Sequence, residues 1–231
     1  MAVTTTPADI IFAARNTSIK NRAALATDAT ELLQKVIRAL RGLYAVAARV
    51  NPTFFAEQAT VAFASGWPRP QTAESVYRLE RNANTTGGSG ASGSEVVVVP
   101  FDDRGAELGT GAVYAFGQVY RSAGNAKDPT GGELVLFCAR RPTDPADLNA
   151  TLDSQWQEDF NELLIVELAL YLAGKDARGD DIARLLADRL SWLNLYIGFL
   201  QHETANLRRR YGHQTVVNVN TLLPLLAPTG G

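Results

Sequence analysis

The chain of 231 residues is 46% hydrophobic and 20% charged, enough for one large globular domain or two small ones and unlike a disordered or collagen-like sequence. Lys and Arg number 22 against 24 Asp and Glu, so a protein that grips nucleic acid by neutralising many phosphates is disfavoured. The single cysteine, Cys138, excludes an intrachain disulfide and any CxxC metal or redox site, and suits a reducing cytosol.

Met1 to Asp9 lacks the basic start, apolar core and small-residue cleavage site of a signal peptide, so secretion is not expected. The longest apolar stretch, Leu163 to Ala173, is about two-thirds of a membrane span and carries Glu167 in its middle, so no membrane partner is expected either. Charge divides the chain: residues 1–50 hold seven basic and three acidic side chains, 51–146 eight and ten, and 147–231 seven and eleven. The middle stretch also holds 12 of the 19 Gly and 7 of the 10 Pro, together with β-branched runs, and reads as a separate β-rich body.

Asp28 and Glu31 have the spacing of a capping box, and Leu32, Leu33, Val36, Ile37, Leu40, Leu43, Val46 and Val50 recur at helical spacing. An amphipathic helix is predicted over 28–49. Asn51-Pro52 stops it, because the residue before proline avoids the α region and proline cannot donate the next hydrogen bond. From 58 to 141 the period shortens to two, with extended runs at Thr60 to Phe63, Val76 to Glu80, Val96 to Phe101, Ala112 to Arg121 and Glu133 to Arg140. These predict a small antiparallel sheet. Taken as one strand, Ala112 to Arg121 sets Tyr114, Phe116 and Tyr120 on one face against Val113, Ala115 and Val119, so both faces need cover. The connections at 85–94, rich in Gly and Ser, and at Ala123 to Gly132 are expected to be a mobile tip and a contact element.

Past Pro142 and Pro145 the helical period returns. Asp153 is placed to cap a helix bearing Trp156, Phe160, Leu163, Leu164, Val166 and Leu170, ended by Gly174. A second helix is predicted from Asp180 to Tyr211, about 45 Å long at 1.5 Å per residue. It carries Ile182, Leu186, Leu190, Leu193, Ile197 and Leu200 on one stripe, with Trp192, Leu195 and Phe199 off it. One bundle can bury one stripe, so the surplus predicts self-association, with Trp192, Leu195, Phe199, Tyr114, Phe116 and Tyr120 as subunit contacts.

Beyond residue 213 the sequence alternates over Thr215 to Asn220 and continues through Leu222, Leu223, Leu225 and Leu226, with Pro224 and Pro228 excluding a helix. Such an arm reads as docking on another chain by strand addition or pocket insertion. Four regions result: 1–57 with the first bundle helix, 58–146 as an inserted β-domain, 147–213 with two further helices, and 214–231 as the arm. The expected class is α+β: a bundle of about three helices, an inserted small antiparallel β-domain and an extended C-terminal arm.

Chemical motifs fail one by one. His202-Glu203 opens HExxH, but Asn206 stands where the second histidine belongs. Gly88 to Gly93 spells GxGxxG, yet valines follow where a dinucleotide fold needs a helix N-terminus. Gly174-Lys175 lacks the rest of a P-loop, and no serine sits in GxSxG. Glu158 and Glu162, one helical turn apart, could make a carboxylate pair of the kind used for acid/base work, and a solvated helix face is the commoner use of such a pair. No catalytic residues, metal or cofactor are expected. Arg208, Arg209 and Arg210 end the long helix, where they can complement its dipole or form an electrostatic docking spot.

Tyr114 to Asn125, Asp128 to Gly132, Arg140 to Asp144, Phe160 to Leu164, Tyr171 to Ala173 and His202 to His213 together resemble the head-to-tail adaptor proteins of tailed bacteriophages over roughly residues 28–213. The resemblance implies a helical bundle with an inserted β-domain, assembled from twelve copies into a ring under the portal vertex. It implies that the arm grips the portal protein, that the lower face receives the tail or its terminator, and that DNA passes non-specifically through the lumen. Docking on the portal then falls to Val216, Val217, Val219, Leu222, Leu223, Leu225 and Leu226, with Arg208 to Arg210 nearby. The expected location is the virion neck, after assembly in the host cytoplasm. The alternatives are another neck ring such as a tail terminator, or a cell-wall glycosidase using Glu158 and Glu162.

Overall fold

Thr6-Pro7-Ala8-Asp9 begins the first helix, α1 (Pro7–Ser18), with a capping arrangement that the sequence reading did not anticipate. The Thr6 amide and hydroxyl donate to Asp9 Oδ2 at 2.9 and 2.7 Å, and the Asp9 amide donates back to Thr6 Oγ1 at 3.3 Å. Pro7 at the first helical position needs no amide partner. Ile10, Ile11 and Ala14 are buried on one side of α1.

The computed structural model describes residues 3–18, 28–62, 66–82, 94–100, 102, 104–105, 112–122, 133–175 and 179–208. Its class is α+β. The chain forms two compact units, one from Phe55 to Arg140 and one from the stretches on either side of it.

In the helical unit, α2 (Ala29–Val50) is capped by Asp28, whose carboxylate accepts from the Thr30 amide at 3.1 Å. Glu31 does not complete a capping box. It accepts instead from the Tyr171 hydroxyl and from Lys175 Nζ at 2.8 Å, joining α2 to α3 (Asn161–Lys175). α2 ends at Asn51, as the Asn-Pro pair requires.

α3 packs against α1, α2 and α4 (Gly179–Arg208). Its Leu163, Leu164, Ile165 and Val166 are all buried, and four consecutive residues cover every direction around a helix, so α3 is the apolar axle rather than a striped helix. Two expectations are corrected here. Asp153 does not cap this helix, and Trp156 and Phe160 precede it, Phe160 in a short 3₁₀ turn at Glu158–Phe160. Gly174 does not end it either; Lys175, bonded to Glu31, adds one more helical residue. Among the described residues the helical unit has four helices, α1 joining the three read from the sequence.

The β unit contains β1 (Ala56–Ala62), β2 (Trp67–Pro68), β3 (Ala73–Asn82), β4 (Ser94–Glu95), β5 (Val98–Val99), β6 (Val113–Phe116), β7 (Val119–Ser122) and β8 (Glu133–Arg140). One sheet has the order β1-β8-β3-β4 and is antiparallel throughout; the other is β2-β7-β6-β5. The expected single antiparallel sheet is therefore two sheets, and β5–β6 is a parallel pair. The cause is a switch at Val96-Val97. The Val96 amide donates to Leu79 O in the first sheet at 2.9 Å, and Val97 O accepts from the Val113 amide of the second at 2.9 Å. One extended run thus leaves one sheet and joins the other.

Between the sheets lies a cluster of Trp67, Val113 and Tyr120 from one and Leu79, Leu134, Leu136 and Cys138 from the other, all buried. Gly66, just before Trp67, has φ +140°, and a Cβ there would lie 2.3 Å from Val119 Cγ1 and 2.9 Å from Tyr120 O. Only glycine lets the chain enter β2 so close to β7.

Candidate interaction surfaces

Among the described residues, α4 carries three exposed leucines, Leu186, Leu190 and Leu195. Its inward side is Leu185, Leu193, Tyr196, Ile197 and Leu200, with Ile182 half-buried. Leu186 and Leu190, placed on the inward stripe by spacing alone, are 48% and 44% exposed. The difference arises because Arg189 turns toward α3 and pairs with Glu167, each side chain only 13% exposed. Arg189 thus lies on the inward arc with Leu185, Leu193, Tyr196 and Leu200, and Leu186 and Leu190 fall at the edge of that arc, in solvent. Burial pushes the Glu167 carboxyl above its ordinary range, and the nearby Arg189 guanidinium counters this only in part.

On the exposed side of α4, Ala183, Leu186, Ala187, Leu190, Ser191, Asn194, Leu195 and Gly198 bear no charge, and Arg184 is the charged residue among them. Neighbouring charges are occupied within the chain, Arg184 with Asp188 at 3.4 Å and Arg189 with Glu167. A helix face meant for water ordinarily carries Lys, Glu or Arg at such places. In the same unit Phe12 of α1 is 71% exposed, opposite Ile10, Ile11 and Ala14. Leu186, Leu190 and Phe12 were missed as surface residues.

Of the expected subunit contacts, Leu195 is exposed and Trp192 half-buried. Phe199 is engaged within the chain, in an aromatic series that runs Phe54, Phe199, Phe160, Tyr196, Trp156, Tyr44 with ring centroids 4.9 to 6.4 Å apart. It lies off the leucine stripe because it belongs to this ladder. In the β unit, Phe116 is 53% exposed beside the Arg121 guanidinium, and Tyr114 is half-buried against Val99 and Ala112. Tyr120 is corrected to a core residue, 8% exposed. The run Ala112 to Arg121 is not one strand but a hairpin turning at Gly117, φ +61°, and Gln118. The reversal sets Tyr120 opposite Ala115, on the face of Val113 rather than that of Tyr114 and Phe116.

Arg208 is the last residue of α4. Arg209, Arg210 and the arm residues Val216, Val217, Val219, Leu222, Leu223, Leu225 and Leu226 lie outside the described residues, as do the tip at 85–93 and the connection at 123–132.

Glu158 and Asp153, both singled out in the sequence, hold structure. Glu158 Oε1 accepts from the amides of Thr4 and Thr5 at 2.7 Å each and from the Thr5 hydroxyl at 2.8 Å, which pushes its carboxyl down to about 2. A general acid needs the opposite shift. Asp153, only 3% exposed, accepts from the Tyr44 hydroxyl at 2.8 Å and from the amides of Thr143 and Gln155 at 2.6 and 2.9 Å. Cys138 is buried in β8 and burial pushes its thiol up to about 11, away from nucleophilic use at neutral pH. Among the described residues no group of three His, Cys, Asp or Glu side chains could hold a metal ion, and no helix is long and apolar enough to cross a membrane. No protein-family model matches this chain, and no curated protein is similar to it at a significant level.

Proposed function

We propose that the protein is a virion structural adaptor, assembled as a ring in the neck between the portal and the tail. The observation that carries this reading is the charge-poor, leucine-bearing face of α4, which the chain leaves exposed from Ala183 to Gly198. Covering such a face with another copy releases water from apolar surface at about 25 cal/mol per Å², and in a ring every copy both offers and receives a contact. The resemblance described above supplies the setting: a ring of twelve copies whose arm grips the portal, whose far side meets the tail or tail terminator, and whose lumen passes DNA. The placement of a β unit between the two halves of a helical unit supports the same reading, and so does the engagement of Glu158 and Asp153 in structural hydrogen bonds.

Mixing the purified protein with portal rings and imaging them by negative-stain electron microscopy tests the proposal. Rings stacked coaxially on the portal are expected. Rings that form but ignore the portal would place the protein elsewhere in the neck, and a protein that stays monomeric at high concentration would remove the reading altogether. Deleting residues 214–231 is expected to leave the fold intact and abolish attachment to the portal.

A further inference from the structure

Among the described residues β1 is a sheet edge with no second strand beside it. Among the described strands, β1 has β8 as its one neighbour, over an unbroken register from Ala56 opposite Ala139 to Ala62 opposite Glu133. The other edge strands, β4, β2 and β5, are two residues long each, whereas β1 has seven. Natural edges are blunted by brevity, lysine, proline or a bulge. Ala56 to Ala62 has neither lysine nor proline, and its register with β8 has no bulge.

The direction of its free backbone groups follows from one hydrogen bond. The Arg140 amide donates to Phe55 O at 2.9 Å. Antiparallel pairs alternate, so Glu57, Ala59 and Val61 point their amides and carbonyls at β8, while Ala56, Gln58, Thr60 and Ala62 point theirs away from the sheet. These same four residues have exposed side chains, and Glu57, Ala59 and Val61 are only half-buried. The strand is thus under-covered on its inner face and open at its edge.

We infer that this edge receives the segment Thr215–Asn220 of a neighbouring copy as an added strand. The inference rests on the ring reading above and deepens it by naming a contact between copies. The residues after α4 run from 209 to 231, and within them Thr215 to Asn220 is the stretch with strand periodicity. Six extended residues span about 20 Å, close to the length of β1. Thr215, Val217 and Val219 alternate with Val216, Asn218 and Asn220. Seated beside β1, the first set extends the inner face of Ala59 and Val61, and Asn218 and Asn220 join Gln58 and Thr60 on the wet face. The segment has no charged side chain and β1 has only Glu57, so no like-charge repulsion opposes the pairing. Leu222, Leu223, Leu225 and Leu226 remain beyond the added strand for the portal, while Val217 and Val219 pass to the neighbouring copy.

The test uses the full chain with Cys138→Ser, which removes the single native thiol. One preparation carries Thr60→Cys and another Asn218→Cys; they are mixed, assembled and oxidised. A disulfide-linked dimer of the two variants is expected on a non-reducing gel, and its loss when Thr60→Cys is combined with Gln58→Pro. That proline removes an amide that points away from β8 and therefore leaves the β1–β8 ladder intact, which thermal unfolding verifies. Rings seen by microscopy without any cross-link, or a cross-link indifferent to Gln58→Pro, would overturn the strand addition while leaving the ring in place. Absence of rings and of cross-link in the unsubstituted chain's conditions would remove both.

Discussion

The helical unit and the β unit join distant stretches of chain by different means. In the helical unit the N-terminal residues meet the segment before α3 through side chains: Glu158 holds Thr4 and Thr5, Asn161 Nδ2 donates to Thr5 Oγ1 at 2.9 Å, and Asp153 reaches Tyr44 and Thr143. Asn51 likewise donates from Nδ2 to Leu200 O at 3.3 Å, tying the end of α2 to α4. In the β unit, backbone ladders do this work, and side chains fill the space around Trp67. Helices satisfy their own backbone and must be positioned by packing and a few polar contacts, whereas strands are positioned by the hydrogen bonds that make them. The helical unit is therefore exposed to loss of single polar groups, and the β unit to loss of volume or of a permitted backbone angle.

Removing Trp67 is the strongest way to press that contrast. Trp67→Ala is expected to cost about 3–5 kcal/mol, read as a lowered midpoint in urea unfolding. If the loss were below about 1 kcal/mol, Trp67 would not be the centre of the β core. For the helical unit, Asp153→Ala should cost about 3 kcal/mol, because it leaves a buried Tyr44 hydroxyl and two amides without their acceptor. A Tyr44→Phe, Asp153→Ala double variant should lose less than the sum of the two single changes, and additivity would show that the groups are not coupled.

Gly66→Ala forces a Cβ into Val119 and into a backbone conformation reserved for glycine, with an expected cost of about 1–3 kcal/mol. Asp28→Ala, which strips the α2 cap, should cost about 1 kcal/mol in the same measurement, and Asp28→Asn should restore most of it. The smallest effect at neutral pH is expected for Glu158, whose influence is confined to acid. Its carboxyl is held at about 2 in the folded chain, below its unfolded value near 4.3, so its stabilisation is complete above the unfolded value and lost as pH falls toward 2. Glu158→Gln should flatten the pH dependence of the melting temperature in that window, and an unchanged slope would remove the role of the Thr4–Thr5 clasp.

Much of the helical framework was legible in the residues themselves. Asp28, the 3.6-residue spacing through Val50 and the Asn51-Pro52 stop delimit α2, and the charge-poor run from Leu190 to His202 lies within one long helix. The surplus of apolar side chains on α4 was legible as a quantity, but not as a direction. Spacing put Leu186 and Leu190 inward, but the buried arc runs through Leu185, Arg189 and Leu193, where Arg189 meets Glu167. Asp153 has the residue type and position of a cap, and nothing local distinguishes that use from the buried acceptor it became. In the β unit, Gly117-Gln118 was a readable turn inside a run otherwise alternating well enough to pass for one strand, so Tyr120 was assigned to the wrong face.

By itself the sequence determined where α2, most of α4 and the long strands β3 and β8 form, because periodicity, caps and proline stops act within a few residues along the chain. It also determined that catalytic and metal-binding motifs are incomplete, because those need particular residue types at particular spacings. Tertiary structure alone decided which side of α4 faces inward, which sheet each half of the Val96 run joins, and that β1 is left as a long open edge. Those outcomes depend on contacts between residues far apart in the chain, such as Arg189 with Glu167 or Val97 with Val113, and a contact of that kind leaves no periodic trace in either segment.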